Sequence, residues 1–71
     1  MKAYLVFETD GYDAALSAVL ETKQAAIEYV DSLGGDTMLH MVTVYEVALP
    51  YVIGNERYQV YYRNIVTGEI R

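Results

Sequence analysis

Residues 2–8 alternate so that Ala3, Leu5 and Phe7 point one way and Tyr4 and Val6 the other, leaving both sides apolar. A strand that is apolar on both faces belongs in the middle of a sheet. Thr9-Asp10-Gly11-Tyr12-Asp13 follows, and its Asp-Gly pair marks a turn, because Gly accepts a positive φ and Asp bonds its own backbone. The next run, Ala14-Ala15-Leu16-Ser17-Ala18-Val19-Leu20, leaves two readings open. Its alanines favour helix, but Thr22 is a natural N-cap for a helix that begins at Lys23, so a strand followed by a helix is the expected order.

From residue 23 to 33, Ala26, Ile27, Val30 and Leu33 recur at helical spacing against Lys23, Gln24, Glu28, Asp31 and Ser32. That pattern predicts an amphipathic helix of about three turns, ended by Gly34-Gly35, where glycine can take the left-handed conformation that satisfies the last carbonyls. Residues 38–49 alternate again and predict a long strand stopped by Pro50. Beyond it, Tyr51-Val52-Ile53, the Gly54-Asn55 pair and the alternating residues 58–63 predict a C-terminal β-hairpin, with Thr67-Gly68 turning the last residues back.

The expected architecture is α+β: a small antiparallel or mixed sheet with one helix packed on one face, in the order β-β-α-β, plus the C-terminal hairpin. Right-handed crossover geometry puts the second and third strands on either side of the first, in sheet order 2-1-3. The whole chain is expected to form a single domain, residues 1–71, divided into a body over residues 2–49 and a hairpin extension over 51–71. One face of the sheet is left without a helix.

The body resembles a group of small proteins, many encoded by bacteriophages, that share the β-β-α-β order. The matching residues are Ala3-Tyr4-Leu5-Val6-Phe7-Glu8, then Ala18-Val19-Leu20-Glu21-Thr22-Lys23-Gln24-Ala25-Ala26, then Val42-Thr43-Val44-Tyr45-Glu46-Val47. The resemblance implies that fold, and a role in inhibiting or redirecting a host protein, such as a defence protein, by stoichiometric binding. The hairpin lies outside it.

Composition narrows the classes. With no cysteine and one histidine among 71 residues, neither a disulfide nor an ordinary zinc site can staple the fold. A chain of this size buries only about 60% of its unfolded surface, so packing must do that work, aided by a second copy. Uncharged stretches such as residues 37–45 are half of what a membrane span requires, and Met1-Lys2-Ala3-Tyr4 lacks the regions of a signal peptide, so a cytoplasmic location is expected.

The net charge of −5 is uneven: residues 1–56 hold nine acids against Lys2 and Lys23, whereas residues 57–71 hold Arg57, Arg63 and Arg71 against Glu69. An acidic body repels nucleic acid and favours basic protein surfaces.

Catalysis is the class the sequence supports least, with the carboxylates Glu8, Asp10 and Asp13, crowded into one turn, as the remaining candidates for acid-base work or a metal. His40 is the only histidine, no Gly-x-Ser-x-Gly surrounds Ser17 or Ser32, and Glu8, Asp10 and Asp13 lack the spacing of a calcium loop. Gly34-Gly35-Asp36 follows a helix instead of preceding one, so it is no phosphate loop. No cofactor and no metal are expected.

Tyrosine is the informative residue: eight of 71, five of them in the last 27 positions. It combines large contact area with a polar tip and is enriched in interfaces. Adjacent Tyr61 and Tyr62 must face opposite ways, which predicts that a small domain exposes at least one. Tyr51, Arg57, Tyr58, Tyr61, Tyr62 and Arg63 are therefore the candidate partner or dimer surface. The expected function is a non-enzymatic, homo-oligomeric binding protein. Alternatives are a nucleotide sponge that uses Arg57 and Arg63 in a dimer groove, or an assembly protein.

Overall fold

In a computed structural model that describes residues 1–9, 12–33 and 41–71, the alanine-rich run is a strand. The elements in chain order are β1 (Lys2–Thr9), β2 (Ala14–Leu20), α1 (Lys23–Ser32), β3 (Met41–Ala48) and β4 (Tyr58–Asn64). They form one four-stranded sheet in the order β2-β1-β3-β4, with every neighbouring pair antiparallel. The protein is α+β.

Tertiary pairing resolves the ambiguity in β2. The double-faced β1 needs a strand on each side, and β2 supplies one, with Tyr4 opposite Leu20 and Val6 opposite Ala18. The register then slips by one residue, so that Phe7 stands opposite Leu16 and Ser17 is the extra residue of a bulge. Ser17 turns toward the helix and shares a hydrogen bond of 2.5 Å with the Tyr29 hydroxyl.

Helix α1 starts where its cap allows. Thr22 is extended, and its side chain accepts a bond from the Ala25 amide at 3.0 Å, satisfying one of the four amides that a helix start leaves unpaired. Ala26 and Val30 are buried against Val6, Val42, Val44 and Tyr61, with Tyr4, Ala18, Leu20, Ile27 and Leu33 packed around them. Four of the six central residues are valine, whose branched side chains fit the narrow space between a helix and a sheet. Burying each contributes roughly 1.5–3 kcal/mol. An ion pair of 2.6 Å between Arg63 and Asp31 ties β4 to the helix.

Two expectations are corrected. Tyr51-Val52-Ile53 forms no strand, and β4 pairs with β3 instead, with Val44 opposite Tyr61 and Thr43 opposite Tyr62. Pro50 gives no backbone donor, and the chain turns again only two residues after Tyr51. β3, by contrast, offers β4 a long apolar partner. Second, Tyr61 and Tyr62 are both buried, at 8% and 9% exposure. Tyr61 enters the helix-side core, while Tyr62 lies beneath the Arg71 guanidinium, 4.3 Å from its ring centre.

The tail does turn back at Thr67–Gly68. Asn64 Oδ1 accepts bonds from the Val66 and Thr67 amides, and Gly68 takes a φ of +80°. The expected Asp10-Gly11 turn, the Gly34-Gly35 helix end and the first residues of the third strand, 38–40, lie outside the described residues.

Because Tyr61 is a core residue, Tyr61→Ala is expected to lower stability by about 3–5 kcal/mol, the range for truncating a large buried aromatic. Tyr58→Ala, at an exposed position, should change it by no more than about 0.5 kcal/mol. Urea denaturation followed by circular dichroism checks both, and equal losses would contradict this assignment of the core.

Candidate functional site

Alternation along β1 and β3 gives the sheet a second apolar face, away from the helix. Ala3, Leu5 and Val47 are buried there, with Phe7, Tyr45 and Tyr51 packed against them. Since the helix lies on the other side, the cover must come from elsewhere, and it comes from the segment between β3 and β4. Tyr51 lies on the cluster, and the Arg57 guanidinium sits over two rings, 4.4 Å from the centre of Tyr45 and 5.1 Å from that of Phe7. Those rings meet edge to face, 5.7 Å apart at 79°. The edge-to-face contact matches positive ring edge to negative ring face, and the cation adds about 0.5–1 kcal/mol at an exposed site.

Both stems of the segment are thus fixed to the sheet. The Leu49 amide donates to the Met1 carbonyl at 2.9 Å, Tyr51 packs down at one end, and Arg57 stacks at the other. Between them the Asn55 amide donates to the Val52 carbonyl at 2.9 Å, closing a turn with Ile53 and Gly54 at its centre. Gly54 has a φ of +99°, a value a side chain would strain. The central pair is therefore Ile53-Gly54, one residue earlier than the Gly54-Asn55 pair the sequence suggests.

Ile53 is 94% exposed at the tip of that turn, and Val52 is exposed beside it. An open depression lined by Ala48, Pro50, Gly54, Asn55, Glu56 and Tyr58 adjoins it.

Of the six surface residues the sequence suggests, three belong to this region. Tyr51 and Arg57 share the second face, and the exposed Tyr58 lines the depression. Tyr61, Tyr62 and Arg63 do not join them: both tyrosines are buried, and Arg63 faces the helix side, paired with Asp31. Burial weakens the charged form of Arg63, but its bonds to Asp31 and Tyr61 outweigh that effect and leave its pKa raised.

Sequence reasoning overlooked Val52 and Ile53, because β-branched residues read as strand. The available signal was their position, an apolar pair leading straight into a Gly-Asn turn.

Among the described residues, no three His, Cys, Asp or Glu side chains stand close enough to hold a metal ion. His40, Asp10 and the 34–36 segment lie outside the described residues. Among the described residues, no helix is long and apolar enough to cross a membrane.

The Tyr58 hydroxyl donates to the Glu56 carboxylate, and that bond together with the carboxylate charge raises the Tyr58 pKa above the ordinary phenol value. A raised phenol pKa favours the fold below about pH 10 and loses that contribution as pH climbs through the raised value. Glu56→Gln removes the charge, so the Tyr58 pKa should fall back toward the ordinary phenol value. Ring-carbon NMR of labelled tyrosine across an alkaline titration measures this, and an unmoved Tyr58 would contradict the pairing.

No family model matches this chain, and neither a curated protein nor a solved structure matches it.

Proposed function

We propose that this chain is a non-enzymatic binding protein that inhibits or modulates a host protein by stoichiometric contact, and that it grips the partner with the turn between β3 and β4. One observation carries the reading: a nearly fully exposed isoleucine at the tip of a turn whose two stems are held down by Tyr51 and Arg57. A large apolar side chain held out on anchored stems has less freedom to lose on binding, which lowers the cost of association. Energetic centres of interfaces have this form, an apolar or aromatic side chain entering a pocket with polar groups around it. Glu56, Arg57 and the Tyr58 hydroxyl would be those polar groups.

The expected partner is a protein with an apolar pocket for Ile53 and Val52, set in a basic surroundings that the net charge of −5 favours. The resemblance of the body to small phage-encoded proteins supplies the host context, in the host cytoplasm. The alternative of a nucleotide sponge relies on Arg57 and Arg63 meeting one ligand. They lie on opposite faces of the sheet, which weighs toward protein contact.

The test is affinity capture from bacterial lysate with the tagged full chain, quantified by mass spectrometry. The expected result is a partner retained by the natural sequence and by Val66→Asp, a change at an exposed site on the tail, but depleted by about tenfold or more with Ile53→Asp, as loss of an interface centre implies. Equal capture by Ile53→Asp and Val66→Asp would remove the turn from the contact.

A further inference from the structure

The sheet has two edges, and among the described residues the chain protects one of them. Beside β4 the tail runs back: Tyr62 and Arg71 exchange backbone bonds at 3.0 and 2.9 Å, the Asn64 amide donates to the Glu69 carbonyl at 2.7 Å, and Arg63 bridges Ile70. At the opposite edge, β2 pairs with β1 on one side and, among the described residues, has no strand on the other. A row of outward amides and carbonyls recruits another strand, and natural sheets blunt such an edge with charge, proline, a very short strand or a bulge; of these β2 carries only the bulge at Ser17. Ala14–Leu20 has seven residues with no charge and no proline. Two of its apolar side chains, Leu16 at 52% and Val19 at 57%, stand exposed.

The bulge decides which strand fits. Leu16 stands opposite Phe7 and Val19 opposite Leu5, so both lie on the face away from the helix although they are three residues apart. Ala15, Ala18 and Leu20 stand opposite Glu8, Val6 and Tyr4, on the helix side, where Ser17 also turns to reach Tyr29. The sequence of faces from Ala15 to Leu20 therefore reads the same in both directions about the Ser17–Ala18 bond. An antiparallel pairing of two such strands around that point matches every face: Leu16 meets Val19 of a second copy, Ala15 meets Leu20, and Ser17 meets Ala18. Glu21 falls opposite Ala14, so this acidic chain sets no acid against an acid.

The geometry points to a second copy of this chain as the occupant of the β2 edge. The two copies pair through identical surfaces, and two four-stranded sheets become one of eight. A foreign strand would satisfy the backbone but has no reason to share the symmetry of the faces. The contact is one strand wide and falls below the roughly 800 Å² per partner of a standard interface, so dimerisation depends on concentration. It is independent of the turn proposed to grip a host protein.

Sedimentation velocity of the full chain from about 1 to about 500 µM spans the affinities expected of such a contact. The natural sequence should pass from monomer to dimer. Val19→Lys, which places a charge on the edge, should weaken dimerisation by about tenfold or more with an unchanged circular dichroism spectrum. Val66→Lys and Ile53→Asp should dimerise as the natural sequence does. If Val19→Lys loses its fold, Leu16→Lys provides the same readout at the second exposed position. Since the chain has no cysteine, the double substitution Leu16→Cys and Val19→Cys should give a covalent dimer on oxidation. A monomer at every concentration, normal dimerisation by folded lysine variants, or growth beyond the dimer would each overturn the inference.

Discussion

A sheet that is apolar on both faces, with a single helix among the described residues to cover it, is the constraint from which the rest of this fold follows. β1 and β3 bury Val6, Val42 and Val44 on one side and Ala3, Leu5 and Val47 on the other. Helix α1 covers the first set. Leaving the second set in water would forfeit roughly 1.5–3 kcal/mol per large side chain, a large share of what holds a domain of this size together. The chain therefore covers that face with parts that are neither helix nor strand.

This cover explains features that look unrelated along the sequence. Tyr51 lies on the second cluster, Arg57 stacks over Phe7 and Tyr45, and Arg71 lies over Tyr62. Arginine suits this role, because its planar cation stacks on aromatic faces while its edges stay in water. The basic character of the last fifteen residues is thus largely structural: Arg57 and Arg71 cover rings, and Arg63 joins β4 to the helix. Holding down the two stems of the β3–β4 segment also leaves the turn between them with an exposed apolar tip, the surface proposed to meet a partner.

The two edges of the sheet follow a similar division. Residues beyond β4 fold back to protect one edge, and the bonds that the Val66 and Thr67 amides donate to Asn64 Oδ1 set that return. At β2, Ala18 packs on the helix-side core, and the strand as a whole leaves its edge without charge. Small side chains serve packing on the helix side and fail to repel a neighbour at the rim.

The alternation of residues 2–8, the periodicity of α1, the Thr22 cap and the return at Thr67–Gly68 were legible because each depends on residues within a turn or two of one another. So were three members of the candidate site, Tyr51, Arg57 and Tyr58. What the sequence could not determine was competition between distant segments. Ala14–Leu20 became a strand because β1 had a free side. Residues 51–53 lost their expected pairing because β3 offered β4 a longer apolar partner. Tyr61 and Tyr62 were both buried because a helix and a tail reached opposite faces of one strand. Local preference sets which way each side chain points, but only the assembled sheet decides what lies in front of it.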